Sequence, residues 1–426
     1  MRLRIEKPIY GGAGLARHEG KAIFVAEALP GELVEAELKH SKASYSEASV
    51  RELIEASAER VQPVCQHYGT CGGCHYQHAS RTLELAMKKT ILTETLTRAR
   101  ITALPEIQII AAEPVGYRNR IRLHVRTAPF TLGYLREQSH TLLPIEQCTI
   151  AAPILVEAMR TLSAEAEAEL AGWANEIELF TQEETREILL SVYTSAHTQQ
   201  PERKLASLWQ KLQRIFPSVT GCTLFVQPEG KGFAKCGPTL GAKQITYRLS
   251  HSSYRVSAGS FFQVNQFLLE SMLSTVCSDH RGAIAWDLYA GVGLFTLPLS
   301  ERFEQVVAVE AAPGSIHDLR HNAPKAETVT ATTLDFLRRT ARTKSRPDLI
   351  VVDPPRAGLG QEATKLLAKV GAGRITYVSC DPTTLARDLA QLLQSGYRMD
   401  SLHLIDMFPE TFHLETVVQL SYTLDE

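Results

Sequence analysis

The sequence predicts a multidomain α/β protein: a small β-barrel over residues 1–57, an α+β region over residues 58–258 and a doubly wound α/β sheet over residues 259–426. Three observations support this division. Short β-type runs between glycine turns fill the first part, a cysteine cluster and an arginine-rich strand lie in the second, and strands alternate with helices in the third. With 426 residues and 44% hydrophobic content, the chain can bury more than one core.

The composition excludes some classes of protein and partner. The 45 basic and 47 acidic residues nearly cancel, so a nucleic acid would have to bind a local basic patch. No apolar run approaches the ~20 residues that span a bilayer, and the first residues lack the apolar segment of a signal peptide. We therefore expect a cytoplasmic protein without membrane contact, whose eight cysteines are ligands or catalysts rather than disulfides.

The first part has the pattern of a barrel of short strands. The β-type runs at residues 22–25 and 33–38 are separated by turn signals at Gly11-Gly12, Gly20 and Pro30-Gly31. The spacing alone also fits an all-β module with another role.

One strand of the middle part has a cationic face. In the segment 117–126 basic and apolar residues alternate, so one face of an extended strand carries Arg118, Arg120, Arg122, His124 and Arg126. Four arginines in register suit an RNA backbone, although such a face can also be merely solvated. The segment 163–187 is rich in glutamate, and we expect it to be a solvent-facing insertion turned away from RNA.

The third part alternates apolar β-type runs with helical patterns. Strands are predicted at residues 283–289, 305–309, 328–332, 348–352, 374–378, 402–405 and 416–422. This order predicts a chiefly parallel, doubly wound sheet.

A glycine turn after the first of these strands predicts a nucleotide-type cofactor site. Gly291 and Gly293 allow close approach of a ligand to the backbone, and Glu310 ends the next strand 19 residues after Gly291. A carboxylate at that separation suits ribose hydroxyls. Position 296 is Thr, so the third glycine of a dinucleotide fingerprint is missing, which favours S-adenosylmethionine over NAD.

Polar residues follow two further strands of this sheet. Asp353 ends one apolar run, and Cys380 follows another 27 residues later, within Ser379-Cys380-Asp381-Pro382. A thiol at the carboxyl end of a strand is a candidate nucleophile. The alternative is a core cysteine that packs as a small hydrophobic residue.

Five ordered motifs resemble those of the RNA uracil-C5 methyltransferases, of the RumA type that modifies 23S ribosomal RNA. They lie at residues 260–265, 287–293, 353–356, 379–382 and 413–415. The resemblance covers essentially the whole chain, and it implies a Rossmann-like methyltransferase domain. The glycine and charge pattern of residues 12–32 is similar to that of the TRAM domain, an OB-like RNA-binding barrel.

The resemblance also implies roles for individual residues. Cys380 would be the nucleophile that adds to uracil C6, and Glu415 the base that removes the C5 proton. Contacts to S-adenosylmethionine would come from Gln263, Tyr289, Glu310, Asp335 and Asp353. Two positions depart from the family pattern: Asp381 stands where Asn is common, and Leu294 where some members have Asn.

The middle part opens with a cysteine cluster. Cys65, Cys71 and Cys74 have the spacing C-x5-C-x2-C, and Cys148 is a possible fourth ligand. Spacing alone allows a four-thiolate zinc site. The resemblance instead implies a [4Fe-4S] cluster that organises the middle part rather than transferring electrons.

The expected partner is RNA, most specifically 23S ribosomal RNA before full ribosome assembly, and the expected state is monomeric. Transfer RNA is the main alternative substrate. Two rivals from other classes are an iron–sulfur methylthiotransferase, whose chemistry needs C-x3-C-x2-C, and a non-catalytic RNA-binding factor on a methyltransferase fold.

Overall fold

The structure is a computed structural model, and it describes residues 1–229, 232–277, 280–341 and 346–423. The chain forms two compact units that do not follow its linear order. The first unit contains residues 1–111, 354–365 and 377–426, and the second contains residues 112–353 and 366–376. No helix within the described residues is long and apolar enough to cross a lipid bilayer.

The N-terminal sheet of the first unit has six strands. They are β1 (Arg2–Arg4), β2 (Lys7–Pro8), β3 (Gly14–His18), β4 (Lys21–Ala26), β5 (Leu33–Ser41) and β6 (Tyr45–Glu55), in the order β1-β5-β6-β4-β3-β2. Their inner faces form a core of small and branched apolar side chains that includes Ile23, Val25 and Val34. β1 pairs with β5 and β2 pairs with β3. The short segment 2–8, which contains β1 and β2, therefore supplies the strands at both edges of this sheet. Closure into a barrel stays a prediction.

The rest of the first unit packs helices against the C-terminal strands. Its elements are α1 (Arg81–Arg98), β7 (Ile107–Ile110), α10 (Pro382–Gln394), β22 (Tyr397–Ile405) and β23 (Glu415–Tyr422). β22 pairs antiparallel with β23 and parallel with β7, and α1 packs against α10. Helix α9 (Gly360–Val370) and strand β21 (Arg374–Ser379) each have residues in both units.

A seven-stranded mixed sheet forms much of the second unit. Its strands, in spatial order, are β10 (Leu142–Pro144), β9 (Thr131–Leu135), β8 (Arg120–Arg126), β11 (Ala174–Gln182), β12 (Glu187–Ser195), β13 (Val219–Gln227) and β14 (Lys235–Gly241). Helices α2 (Pro153–Glu165), α3 (Glu167–Leu170) and α4 (Pro201–Ile215) accompany it, and a hairpin follows, made of β15 (Gln244–Leu249) and β16 (Ser252–Ser257).

The cofactor-type sheet begins in the second unit with four parallel strands. They are β17 (Gly282–Leu288), β18 (Phe303–Glu310), β19 (Glu327–Thr330) and β20 (Leu349–Val352), connected through α6 (Thr296–Leu299), α7 (Pro313–Asn322) and α8 (Thr333–Thr340), with α5 (Leu269–Cys277) before them. Within this unit the strand order is β19-β18-β17-β20, and within the first unit it is β23-β22-β7. Each of the seven strands predicted for this part is present.

The expectations for the arginine strand and the acidic segment need correction. The segment 163–187 is not a solvent-facing insertion, because it contains β11, which lies at the centre of the seven-stranded sheet with Ile177 and Leu179 fully buried. β11 pairs directly with β8. Its glutamates therefore face the basic side chains of β8.

These contacts neutralise most of the cationic face. Arg120 lies 3.6 Å from Glu178 and over the Phe180 ring, and Arg122 Nε donates to Glu176 over 2.8 Å. His124 also contacts Glu176, at 3.2 Å. The strand alternates as predicted, but its arginines stabilise the sheet, and the prediction that they form an RNA track is not supported.

Candidate active site and cofactor site

The cofactor-type site of the second unit lies where the strand order reverses. β17 has β18 on one side and β20 on the other, and all three strands are parallel. Ligands of open α/β sheets bind beyond the carboxyl ends of the strands at such a point. Tyr289 follows β17, Glu310 ends β18 and Asp353 follows β20, so three of the predicted cofactor residues occupy this edge.

The turn after β17 has an unusual backbone. Tyr289, Gly291 and Gly293 all have positive φ, at 66°, 55° and 92°. A Cβ on Gly293 would lie 2.8 Å from Leu319 of α7, whereas a Cβ on Gly291 would meet no atom within 4 Å. Gly293 therefore serves packing, and Gly291 leaves open space beside the strand ends. The helix after the turn, α6, is one turn long.

Glu310 joins the end of β18 to this turn. Its Oε2 accepts the Gly291 N–H at 2.8 Å, and its Oε1 accepts the N–H groups of Ala311 and Ala312 at 2.8 and 2.6 Å. The backbone thus fixes the carboxylate predicted to meet ribose.

Two more carboxyl groups are buried at this edge. Burial raises the pKa of Asp287 to about 7, with a further contribution from Glu310 and an opposing hydrogen bond from Thr296. Burial, and then the negative charge of Asp287, raises the pKa of Asp353. Among the described residues, Asp287 Oδ1 has no hydrogen-bond partner. An orphaned buried oxygen and the open space at Gly291 fit a polar cofactor here.

Asp318 of α7, which sequence reasoning missed, fixes the segment before α5. It is fully buried and accepts hydrogen bonds from Arg255, Ser257 and Ser260. Gln263, three residues after Ser260, is 5% exposed, and its backbone carbonyl accepts a hydrogen bond from the Asn119 side-chain amide. No pattern in the sequence links these positions.

Asp335 and Leu294 have evident local roles. Asp335 is exposed, at the third position of α8, where its N–H donates to the hydroxyl of the N-cap Thr332 and its carboxylate accepts from that hydroxyl. Leu294 is buried, and its carbonyl accepts the Tyr254 hydroxyl. The cap contacts of Asp335 do not by themselves indicate a contact to the cofactor.

The candidate nucleophile of the first unit directly follows β21. Cys380 is half-buried, and Asp381 is the N-cap of α10. Asp381 Oδ1 accepts the N–H groups of Thr383 and Thr384, both at 2.9 Å. Asp and Asn are both favoured N-caps, so this departure from the family pattern is compatible with the cap of α10.

Aromatic and basic groups surround this loop. Tyr10 donates to Asp381 Oδ2 over 3.3 Å, and its ring meets Phe412 edge-on at 5.5 Å. Arg356 Nη2 lies 3.4 Å from both ring nitrogens of His413. Arg356 ends the motif at residues 353–356, whereas no motif in the sequence contains Tyr10 or Phe412.

Glu415 begins β23, opposite Ile405 of β22, and is 3% exposed. The Glu415 carboxylate is therefore a buried group at the start of a strand and not a surface charge. The preceding loop is held by Lys88, which is fully buried and lies 2.6 Å from Asp406, 2.7 Å from Glu84 and 3.0 Å from the Phe408 carbonyl. Removing water around Glu415 and anchoring its loop both favour one orientation of the carboxylate.

The cysteines predicted to bind a metal are Cys65, Cys71, Cys74 and Cys148. All are half-buried, and none of the chain's eight cysteines forms a disulfide. The first three lie in a segment without helix or strand, where the Cys65 N–H, for example, donates a hydrogen bond to Gln77 Oε1. Within the described residues, no group of three or more His, Cys, Asp or Glu side chains is assembled to hold a metal ion.

Comparisons with known proteins cover nearly the whole chain. The family described as tRNA (Uracil-5-)-methyltransferase matches residues 80–346 and 336–423, and the TRAM domain matches residues 1–50. An uncharacterized RNA methyltransferase of Aquifex aeolicus is 34% identical, over 99% of this chain and 98% of the relative. The 23S rRNA (uracil(1939)-C(5))-methyltransferase RlmD of Pectobacterium atrosepticum is 30% identical, over 95% of this chain and 90% of the relative.

One solved structure is similar over the full length. It is the tRNA (uracil-54, C5)-methyltransferase of Pyrococcus abyssi in complex with S-adenosyl-L-homocysteine, with a TM-score of 0.77 and 25% identity. The match covers 99% of this chain and 100% of that one.

Proposed function

The chain belongs to the tRNA (uracil-5-)-methyltransferase family, and from that premise we propose that it methylates one uridine of 23S ribosomal RNA, with Cys380 as nucleophile and Glu415 as base. The general activity follows from the family: the protein is an S-adenosylmethionine-dependent RNA (uracil-C5-)-methyltransferase with an N-terminal TRAM domain. The TRAM domain would span residues 1–57, the middle domain 58–258 and the methyltransferase domain 259–426.

The proposal of 23S rRNA as substrate is supported by similarity to relatives that are named as 23S rRNA methyltransferases. Such relatives are 30–32% identical over at least 95% of this chain. Transfer RNA is the second candidate, since the similar solved structure acts on tRNA, at 25% identity.

The proposed chemistry needs both a nucleophile and a base. Uracil C5 is a poor nucleophile, and addition of the Cys380 thiolate to C6 converts the C4–C5 unit into an enolate that can attack a methyl group. Bound S-adenosylmethionine supplies that methyl group in electrophilic form. The C5 proton remains after methylation, and Glu415 would remove it, so that the C5–C6 double bond returns as Cys380 leaves.

The position of each side chain supports these roles. Cys380 is half-buried at a strand end, where a thiol can be reached, unlike the fully buried Cys222. Glu415 lies in a buried strand, shielded from water. An unpaired Asp381 carboxylate would destabilise a thiolate on Cys380 by charge repulsion. Asp381 instead accepts hydrogen bonds from two backbone N–H groups and from the Tyr10 hydroxyl.

The cofactor would be held by the edge described in the second unit. Tyr289, the open space at Gly291, Glu310 and Asp353 surround the strand ends, and Gln263 lies in the segment fixed by Asp318. Asp335 stays a weaker proposal, because it is exposed and engaged in a helix cap. These residues would orient the cofactor, and the buried carboxyl groups would favour its positive charge.

A [4Fe-4S] cluster on Cys65, Cys71, Cys74 and Cys148 is part of the proposal. Four reduced thiols of this spacing support it, while the described residues show no assembled metal group, so no step of the reaction is routed through it. Protein purified without air should contain about four irons and absorb near ~400 nm. Cys65→Ser should lose the iron, and Cys236→Ser, at an exposed position, should keep it; one zinc per chain in place of iron would contradict the proposal.

Mapping 5-methyluridine in cells tests the substrate directly. Deleting the gene should remove one 5-methyluridine from 23S rRNA and leave tRNA unchanged, and wild type but not Cys380→Ala should restore it. Loss of the tRNA modification alone would assign the enzyme to the second candidate.

A further inference from the structure

Tyr10 of the TRAM domain reaches the residue next to the proposed nucleophile. It lies in the turn between β2 and β3, and its hydroxyl donates to Asp381 Oδ2 across 371 positions of sequence. Asp381 Oδ1 accepts two N–H groups of α10. Both oxygens of the carboxylate that follows Cys380 therefore have donors, and one donor comes from the TRAM domain.

The Tyr10 ring is held in place by its neighbours. It meets Phe412 edge-on, and Phe412 in turn contacts His75 at 4.6 Å and His413 at 4.3 Å. On the same turn, a Cβ on Gly12 would lie 3.2 Å from His75, so the turn packs closely against that segment. Nearby, Lys7 of β2 pairs with Glu94 of α1 at 2.7 Å.

The hydroxyl of Tyr10 is a stable donor. Burial, and then the negative charge of Asp381, raises the pKa of Tyr10 well above its ordinary value, so it keeps its proton. Phenylalanine would fill the same space and keep the ring contacts. The hydrogen bond to Asp381 is thus a separable feature of this residue.

We infer that Tyr10 is a positioning residue for methyl transfer: it holds the Asp381 carboxylate at the start of α10 and thereby fixes the Cys380 loop. The inference rests on the proposed role of Cys380. Without the hydroxyl, the carboxylate could turn and place its charge nearer the thiol, which disfavours the thiolate. The TRAM domain would then contribute to the chemical step as well as to RNA binding.

A double-mutant cycle on the full-length protein tests this inference. The variants are Tyr10→Phe, Asp381→Asn and the double variant, with Tyr45→Phe as the control, because the Tyr45 hydroxyl pairs with exposed Lys42 on the same sheet. Single-turnover attachment to RNA carrying 5-fluorouridine measures the Cys380 step. Filter binding gives RNA affinity, and thermal melting gives stability.

We expect Tyr10→Phe to slow attachment about five- to tenfold, the size of a typical net hydrogen-bond contribution, with RNA affinity and melting temperature unchanged. In the Asp381→Asn background the same change should cost less than about twofold, since the charge it restrains is gone. Alkylation of Cys380 by iodoacetamide, followed by mass spectrometry, should slow in parallel in Tyr10→Phe.

Other outcomes overturn the inference. Wild-type rates in Tyr10→Phe, or equal losses in both backgrounds together with a lower melting temperature, would make Tyr10 a packing residue. Failure of the proposed function looks different: wild type and Cys380→Ala would then attach equally, or not at all, while iodoacetamide still reports on Tyr10.

Discussion

The nucleophile region of the first unit and the cofactor region of the second unit handle negative charge differently. Asp381, beside Cys380, is half-exposed and is neutralised by N–H groups of its own helix and by a hydroxyl 371 residues away. Glu310 is fixed by N–H groups no more than 19 residues away, and Asp287 is buried with a raised pKa. The glycine turn of the cofactor region is thus fixed from within 19 residues, whereas the carboxylate beside the proposed nucleophile also depends on a residue 371 positions away.

The largest expected effect comes from the two proposed catalytic residues. Cys380→Ala should lower turnover by about 10⁴-fold or more and abolish attachment to 5-fluorouridine RNA, as no other group supplies the nucleophile. Glu415→Gln should permit methyl transfer but slow release by roughly 10²–10⁴-fold, so that adducts accumulate on ordinary uridine.

Denaturing gels and methyl incorporation measure both effects. Cys236→Ser is the matched control for the thiol, since Cys236 is exposed and far along the chain. Attachment in Cys380→Ala, or wild-type turnover in Glu415→Gln, would show that the roles are wrong although the family is right.

Lys88 tests the dependence of the nucleophile region on distant contacts. Lys88→Met removes one of the two cations beside buried Glu84 and Asp406 and leaves Arg81, so it should cost about 3 kcal/mol, the lower end for breaking a buried ion pair. Hydrogen exchange should show lost protection in α1 and in residues 406–414, while β11–β13 of the second unit stay protected. Lys89 is the next residue and is half-buried, so Lys89→Met should change neither stability nor protection appreciably. Equal loss of protection in both units would show that the Lys88 contacts do not act on the nucleophile region in particular.

Gly291 tests the local construction of the cofactor region. Gly291→Ala should weaken binding of S-adenosylmethionine about tenfold, because the new methyl group enters the open space and the left-handed backbone costs about 1–2 kcal/mol. Gly20→Ala is a matched control: its φ is +80° and its Cβ also meets nothing within 4 Å. Titration calorimetry should show normal affinity for the control, and equal affinities would remove Gly291 from the site.

Asp287 predicts a pH dependence of the folding stability. Because the folded-state pKa is about 7 and an exposed Asp titrates near ~4, the native state holds a proton that the unfolded chain has lost in that interval. Stability should therefore fall as pH rises from 4 to 7, by up to about 1.4 kcal/mol per pH unit. Melting curves at pH 5.5 and 8 should show a smaller decrease for Asp287→Asn than for wild type, whereas exposed Asp400→Asn should follow wild type.

Local patterns in the sequence predicted much of this structure. The seven C-terminal strands and the link from Gly291 to Glu310 follow from residues close together in the chain. The pairing of β8 with β11 could not be predicted in this way, so the arginines and glutamates that neutralise each other were assigned to separate surfaces. Tyr10 and Lys88 were missed for the same reason, because their partners lie more than 300 residues away.

The buried Lys88–Asp406 pair has a consequence for biosynthesis. Lys88 leaves the ribosome 318 residues before Asp406, which at ~5–20 residues per second is roughly 15–60 s. During that time α1 lacks one of the two carboxylates that pair with its buried ammonium, and the first 111 residues cannot complete their unit. A nascent chain of this protein is therefore exposed to chaperones and proteases through most of its translation, and pauses before residue 406 should prolong that exposure.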